Sequence, residues 1–531
     1  MTNTIPIFKP WVPEWVIRLA LLLVVLPGVV LFALSVSNVG AAAGYYGISP
    51  NDAQYTLVIL YGAMVGFIVL EKRFFTNIAC KEYLLIGICI LMGTCYACYK
   101  VNSFALLLVC RYVQGMFTCG TIGITLTLMF SRLHTERSKE IGYSVVYGIL
   151  LIIIPLTTLI TASIIDNFNF NVIYKCAIYS YLPGGIIMFI IMNNVRLNRK
   201  FPLLKLDWPS FILYSAALCL IGYVLVYGQQ LEWLDDPRIT YRLIAIVLLL
   251  LIFIIRQFNT RRPYLYLAVF KNLKFTFGAV LLFVFYICRG SFGITTSYLG
   301  SVLGLDPAHI GYLLIYNIAG IILSVIFTSR LMLQKRSIRL IFISGFFVLL
   351  VFHVYMCFIF STQVNSNALI IPLILQGVGA GMLMVPIILF IITASPPKYG
   401  NTGSAVGIFV RFCGFCSSIA LINYFQLYGQ NSHYNRFQDQ LSSLNPDVVQ
   451  RMALYKQVLT SRGMLPEQAA KVATGLLSKS IAVQSQLRFS LDYYQIISWV
   501  LVSVIVLIAL FPSVNPTVIN VRSNQPAPVA Y

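Results

Sequence analysis

The chain has 531 residues, of which 59% are hydrophobic and 10% charged, with a mean hydropathy of +0.85. A soluble domain carries about 25% charged residues, so this sequence has too little polar surface to cover a water-soluble globule. Its formal net charge of +21 would suggest nucleic acid on a soluble chain, but the basic residues sit in short loops between apolar runs, which is an orientation signal for a membrane protein and not a nucleic-acid surface.

A helix needs about twenty apolar residues to cross a bilayer. The first such run is Val16 to Val36, with a short polar start before it and Ala41-Ala42-Ala43 after it. That arrangement imitates a secretory signal, but the run is longer than a usual signal core, so it is kept as the first span. In chain order, spans are predicted at 15–37, 54–71, 83–100, 103–130, 141–164, 172–193, 209–228, 241–258, 275–299, 309–331, 338–361, 367–394, 402–427 and 493–512. With the N-terminus in the cytoplasm, the inside loops carry Lys72, Arg73 and Lys81, then Arg132, Arg137 and Lys139, then Arg196, Arg199, Lys200 and Lys205. Further inside charges are Arg256, Arg261, Arg262, Lys271 and Lys274, followed by Arg330, Lys335, Arg336 and Arg339. The outside loops hold only Lys100, Lys175, Arg238 and Arg242, among Asp166, Glu232, Asp235, Asp236 and Asp306. A missed or extra span would invert this asymmetry downstream, so both termini are expected in the cytoplasm.

Residues 428–490 break the pattern: they are polar and fall outside. Helices are expected near 446–460 and 466–488, with Pro466-Glu467-Gln468 as a helix start, together forming a helical hairpin. The tail 514–531 is rich in Pro and Asn and is expected to be a disordered cytoplasmic segment.

Charged side chains inside a bilayer are costly, roughly 2.5–3.5 kcal/mol for a mid-helix Arg on insertion scales. Arg111, Arg289 and Arg411 fall within predicted spans, while Asp52, Glu71, Asp166 and Asp207 lie only at span ends. The interior is therefore expected to be cationic and short of counter-ions, suited to an anionic substrate. Uncharged candidates are Ser35 and Asn38 in the first span, Gln114 in the fourth, Asn317 in the tenth and Gln376 in the twelfth; Tyr286, Tyr298 and Tyr316 are candidate pocket aromatics. Gly377, Gly379 and Gly381, and the run Gly400 to Gly407, let helices approach closely. Pro155, Pro183, Pro372 and Pro386 are positions where a span can bend.

Catalytic signals are weak. His134, His309, His353 and His433 are far apart, and no Walker A or G-x-S-x-G motif occurs. The pairs Cys95/Cys98 and Cys413/Cys416 lie in apolar runs far from one another, as small apolar residues would. No cofactor or metal is expected.

Arg111-Tyr112-Val113-Gln114-Gly115 resembles the R-x-x-Q-G motif that major facilitator transporters carry in their fourth span. Gly403, Gly407, Arg411 and Gly414, and Gly377, Gly379, Gly381 and Pro386 before them, resemble helices of the fourteen-span drug:proton antiporter group (EmrB/QacA-like). The long outer loop with Gln468-Ala469 and Gln484, and the linker Arg262-Pro263 with Phe270-Lys271-Asn272, are similar to that group as well. The resemblance implies an all-α integral membrane fold: an N-terminal six-helix bundle over 1–200, two inserted transmembrane helices over 201–262, and a C-terminal six-helix bundle over 263–513. The sequence departs from the group in three places. The basic loop between spans two and three is reduced to Glu71 through Glu82; the Gly-rich motif of span five survives only as Pro155; and span one has Ser35 and Asn38 where an acid is usual.

The function expected from these observations is secondary active transport, as proton-coupled efflux of anionic or neutral amphipathic small molecules. It would take place in a bacterial inner membrane, with lipid around the chain; the resemblance implies a periplasmic adaptor and outer-membrane channel as candidate partners. An importer of an organic anion or metal chelate, and a membrane-embedded enzyme acting on lipid or isoprenoid substrates, are the alternatives.

Overall fold

In lipid each backbone N–H and C=O must be satisfied within its own segment, which leaves the helix as the form available to isolated apolar runs. The computed structural model describes residues 6–75, 78–101, 103–132, 138–196, 207–260, 263–395, 400–441 and 445–511. Among these, 14 helices are long and apolar enough to cross a membrane. The first six are α1 Glu14–Ser37, α2 Pro50–Phe75, α3 Cys80–Lys100, α4 Phe104–Ser131, α5 Ser138–Asn167 and α6 Val172–Ile191. Then come α7 Trp208–Tyr227, α8 Pro237–Asn259, α9 Leu273–Ser301, α10 Pro307–Leu333, α11 Ile338–Ile359, α12 Ile370–Ala394, α13 Gly400–Asp439 and α14 Pro466–Leu510. The even number of crossings among the described residues puts residues 6 and 511 on one face, here called the terminal face. The tail 514–531 lies outside the described residues, as do Arg137, Arg199, Lys200, Lys205, Arg261 and Arg262.

Local chemistry fixes the helix starts. Ser49 and Asp52 form a capping box at α2: the Ser49 amide donates to Asp52 Oδ2 at 3.0 Å and the Asp52 amide to Ser49 Oγ at 3.1 Å. Asp207 caps α7 by accepting from the Ser210 amide and pairs with Arg256 of α8 at 2.8 Å. Burial alone would raise the Asp207 carboxyl, but its bonds from Ser210 and Arg256 outweigh this and hold it below the ordinary carboxylate value.

Two cores organise the helices. In the first, Leu21 and Leu31 of α1 meet Leu84 of α3, Ile124 of α4 and Tyr181 of α6. In the second, Phe285 of α9, Leu314 of α10, Phe346 of α11, Leu383 of α12 and Tyr494 of α14 pack together, and Tyr143, Tyr147 and Leu151 of α5 join them. So α5 lies across the seam. Helix α7 packs on α2 and α13 through Phe211, Tyr214 and Phe412, and α8 packs outside α7. Close approach between α10 and α12 depends on Gly377, where a Cβ would stand 2.3 Å from the Asn317 carbonyl oxygen.

The structure corrects two expectations. The second span begins earlier than predicted, at Pro50. The segment expected as a separate helix at 466–488 is the first half of one helix, α14, and α13 likewise runs on to Asp439. At 1.5 Å per residue these helices of 40 and 45 residues are about 60 and about 68 Å long, twice a hydrocarbon core of roughly 30 Å. Both project from the face opposite the termini, with helix Pro446–Ser461 between them and His433 Nε2 bonded to Asp492 Oδ2 at 2.7 Å.

Candidate functional site

Two cavities follow the seam. The larger, about 650 Å³, lies toward the projecting face between α1, α5, α9, α10, α12, α13 and α14. Four of the sequence candidates line it: Asn38, Arg289, Asn317 and Gln376, together with Tyr286. Arg289 is the one charged side chain in its lining among the described residues.

Arg289 is positioned by a defect in a neighbouring helix. Pro155 has no N–H, so the carbonyl of Leu151, four residues earlier in α5, has no intrahelical donor. Arg289 Nη2 supplies one at 2.7 Å, tying α9 to α5 across the seam. A guanidinium has five N–H donors in a planar fork, and among the described residues Arg289 makes no other hydrogen bond. The remaining donors therefore stay open beside the cavity. Just beyond Arg289, α9 breaks at Ser291, whose hydroxyl lies 2.7 Å from the Cys288 carbonyl and 2.8 Å from His353 Nε2 of α11. Gly290 lets the break sit against α13, because a Cβ there would fall 1.7 Å from Ser418 Oγ.

The polar walls are cross-braced. Asn317 Nδ2 donates to Gln376 Oε1 at 2.5 Å and to the Leu373 carbonyl at 2.9 Å. At the rim, Asn38 Nδ2 donates to Thr161 Oγ1 at 3.0 Å, joining α1 to α5.

The smaller cavity, about 120 Å³, lies nearer the terminal face, between α1, α2, α4, α5 and α13. Arg411 lines it with apolar side chains and with Tyr61 and Tyr147. The Arg411 guanidinium stacks over the Tyr147 ring, 5.5 Å from its centroid.

Arg111 and Gln114 line neither cavity. Both are fully buried in the first core. Arg111 Nη1 donates to the Leu31 carbonyl at 3.1 Å and to Gln114 Oε1 at 3.0 Å, and Nη2 reaches Ser35 Oγ at 3.5 Å. Ser35 in turn accepts from Thr56 Oγ1 at 2.8 Å, so the cluster locks α1, α2 and α4. Of the candidate tyrosines, Tyr298 is buried in the second core and donates to the Ser361 carbonyl at 2.7 Å, while Tyr316 is 40% exposed and lines neither cavity. Sequence reasoning missed the Leu151 carbonyl, although Pro155 signalled it, and the amides Gln54, Asn423, Gln426 and Gln486 of the larger cavity.

Helical bundles bridged by α5 and enclosing a cavity at their seam have the arrangement of a membrane transporter. The chain belongs to the Major Facilitator Superfamily, whose sequence profile matches residues 20–421. It is similar to the colistin resistance protein EmrB of Acinetobacter baumannii, at 23% identity over 74% of this chain and 76% of that one. It is also similar to the probable multidrug resistance protein EmrY of Escherichia coli, at 21% identity over 78% and 80%. Similarity to the lincomycin resistance protein LmrB of Listeria monocytogenes is 25% over 57% and 63%. Among solved structures, a mutant of the peptide transporter POT superposes with a TM-score of 0.55 at 13% identity, over 95% of this chain and 97% of that one, and shares the fold alone.

Proposed function

We propose that this protein is a proton-coupled exporter of amphipathic small molecules whose polar head is anionic or neutral. One observation carries the substrate class: the larger cavity presents a single charged group, Arg289, and no carboxylate in its lining among the described residues. A lipophilic cation would meet repulsion there; an anion gains charge-assisted hydrogen bonds from a fork that is already oriented. The resistance-related names of the bacterial relatives support export as the direction. Asn38, Asn317 and Gln376 orient the polar head, and Arg411 lies along the route toward the terminal face. Arg111 and Gln114 act at a distance, by fixing α1 against α2 and α4.

The tether from Arg289 to the Leu151 carbonyl gives a route from binding to movement. An anion that takes the guanidinium draws it away from α5 and weakens the seam, so ligand and bundle rocking become coupled through one side chain. The two bundles, 1–200 and 263–513, would rock around the inserted pair in 201–262. The setting is a bacterial inner membrane with both termini cytoplasmic, consistent with the basic loops of the terminal face. The projecting region 428–490 would then lie in the periplasm and dock an adaptor that leads to an outer-membrane channel.

Transport in everted membrane vesicles tests this reading. ATP-independent, proton-gradient-driven accumulation of an amphipathic anion such as taurocholate is expected, and Arg289→Gln lowers it about tenfold or more, the worth of a lost charge-assisted hydrogen bond. Accumulation of lipophilic cations instead, insensitive to Arg289→Gln, would reject the substrate class. Co-purification of an adaptor that is lost on deleting residues 440–465 tests the partner.

A further inference from the structure

We propose that the pocket around Arg411 is a second anion-binding station, separate from the larger cavity and shaped for a compact carboxylate with a single-ring body. Its role in transport rests on the anion-export reading above; its existence as a binding site does not.

Three observations carry it. First, Arg411 is 4% exposed, and its Nε has no hydrogen-bond partner among the described residues. Arg111 provides the contrast: its Nε is also unpartnered, but its two Nη groups find three acceptors, as a structural arginine's should. Arg411 has instead the face of Tyr147, which attracts a cation without accepting the guanidinium's in-plane donors, and a single side-chain hydrogen bond with Tyr286, which leaves Nε unmatched. A buried charge left in that condition is costly unless a partner arrives.

Second, the pocket has room for that partner. Its volume is about 120 Å³, and apart from Arg411 its lining is apolar or aromatic, with Val29, Ile122 and Ile153 facing across it. An apolar cavity of about 150 Å³ is sufficient for benzene, so a pocket of about 120 Å³ takes a single ring only as its apolar walls give way slightly, and its one fixed charge selects a carboxylate on that ring.

Third, the two cavities share no lining residue. Between them stands an aromatic partition: Tyr61 on the pocket side packs against Phe415 on the cavity side at 6.0 Å between centroids, and against Phe412 at 5.5 Å. An anion held at Arg289 and one held at Arg411 therefore occupy different compartments, with no carboxylate in either lining among the described residues.

The test is equilibrium binding of benzoate to the full-length protein purified in detergent, with benzamide as the neutral isostere and taurocholate as a competitor too large for the pocket. Benzoate is expected to bind, to resist displacement by taurocholate and to survive Arg289→Gln. Arg411→Gln is expected to weaken it about tenfold or more, while Arg411→Lys keeps part of the affinity. Val29→Phe fills the pocket without touching the charge and should abolish benzoate binding while taurocholate binding persists, which separates a blocked site from a misfolded protein. Absence of benzoate binding, equal binding of benzamide, displacement by taurocholate, or loss in Arg289→Gln with retention in Arg411→Gln would each overturn the second station. Failure of taurocholate alone, with benzoate behaving as described, would overturn the substrate class proposed for the larger cavity and leave the station standing.

Discussion

Proline and arginine act as a pair at the seam. Pro155 withholds an N–H from the Leu151 carbonyl, and Arg289 answers it from the other side. Pro155→Ala returns the intrahelical donor, so the carbonyl no longer needs the guanidinium. We expect this variant to keep its fold while the seam loosens, read as a broader distance distribution between spin labels on α5 and α9; an unchanged distribution would mean the tether holds nothing. Arg111 predicts the opposite phenotype. Arg111→Met leaves Ser35, Gln114 and the Leu31 carbonyl short of a donor inside the first core, a cost of about 1–3 kcal/mol per unsatisfied group. Its thermal midpoint should fall even without ligand, whereas that of Arg289→Gln should fall mainly in the loss of ligand stabilisation. All three arginines were visible in the sequence as charges in apolar runs. What separates them is which neighbours offer acceptors, and that depends on contacts between helices far apart in the chain, which spacing does not encode.

At the level of elements, the most legible feature was the set of apolar runs, because each must be about twenty residues long whatever surrounds it. The projecting ends of α13 and α14 were not legible as continuous helices. Their composition turns polar where they leave the hydrocarbon, but a helix does not stop at a change of solvent; it stops at a breaker, and 428–439 and 466–492 contain no internal proline beyond the start. The break in α9 was equally hidden, since it depends on Ser291 meeting His353 of α11, and Tyr494 of α14 donating to the Ser291 carbonyl at 3.1 Å. The Leu349 carbonyl can only accept, so His353 Nδ1 donates there at 2.7 Å and Nε2 faces Ser291. His353→Ala should cost about 2–4 kcal/mol through the cavity and the lost bonds, measured as a drop in unfolding midpoint; no drop would show that the break stands without its support. The start of α7 gives a pH signature. Because the folded Asp207 carboxyl is held below its ordinary value, its contribution is present above the unfolded carboxylate pKa and is lost as pH falls through the folded one. Asp207→Ala should lower the midpoint at neutral pH by an amount matching about 0.5–2 kcal/mol for the cap, and the gap to wild type should close in acid. A gap independent of pH would assign the effect to packing.

Across the whole molecule the charges do two jobs. The many basic residues at helix ends are of the kind that orients a membrane chain, and the few inside give its seam a positive potential with no acid lining either cavity among the described residues. The resemblance to fourteen-span antiporters carried the fold, and two of the three departures from that group fall at the larger cavity. The missing acid in α1 is matched by Asn38 at the rim, and the eroded motif of α5 leaves Pro155 to expose the carbonyl that Arg289 uses. The central claim is that Arg289 makes the larger cavity an anion site. It is tested most directly by the thermal midpoint of the purified protein, wild type and Arg289→Gln, against matched anionic, neutral and cationic amphiphiles, since a ligand that binds only the folded state raises the midpoint by mass action. The account predicts that anions raise the wild-type midpoint and lose that effect in the variant. Stabilisation by cations alone, or an anion response that Arg289→Gln leaves intact, would contradict it.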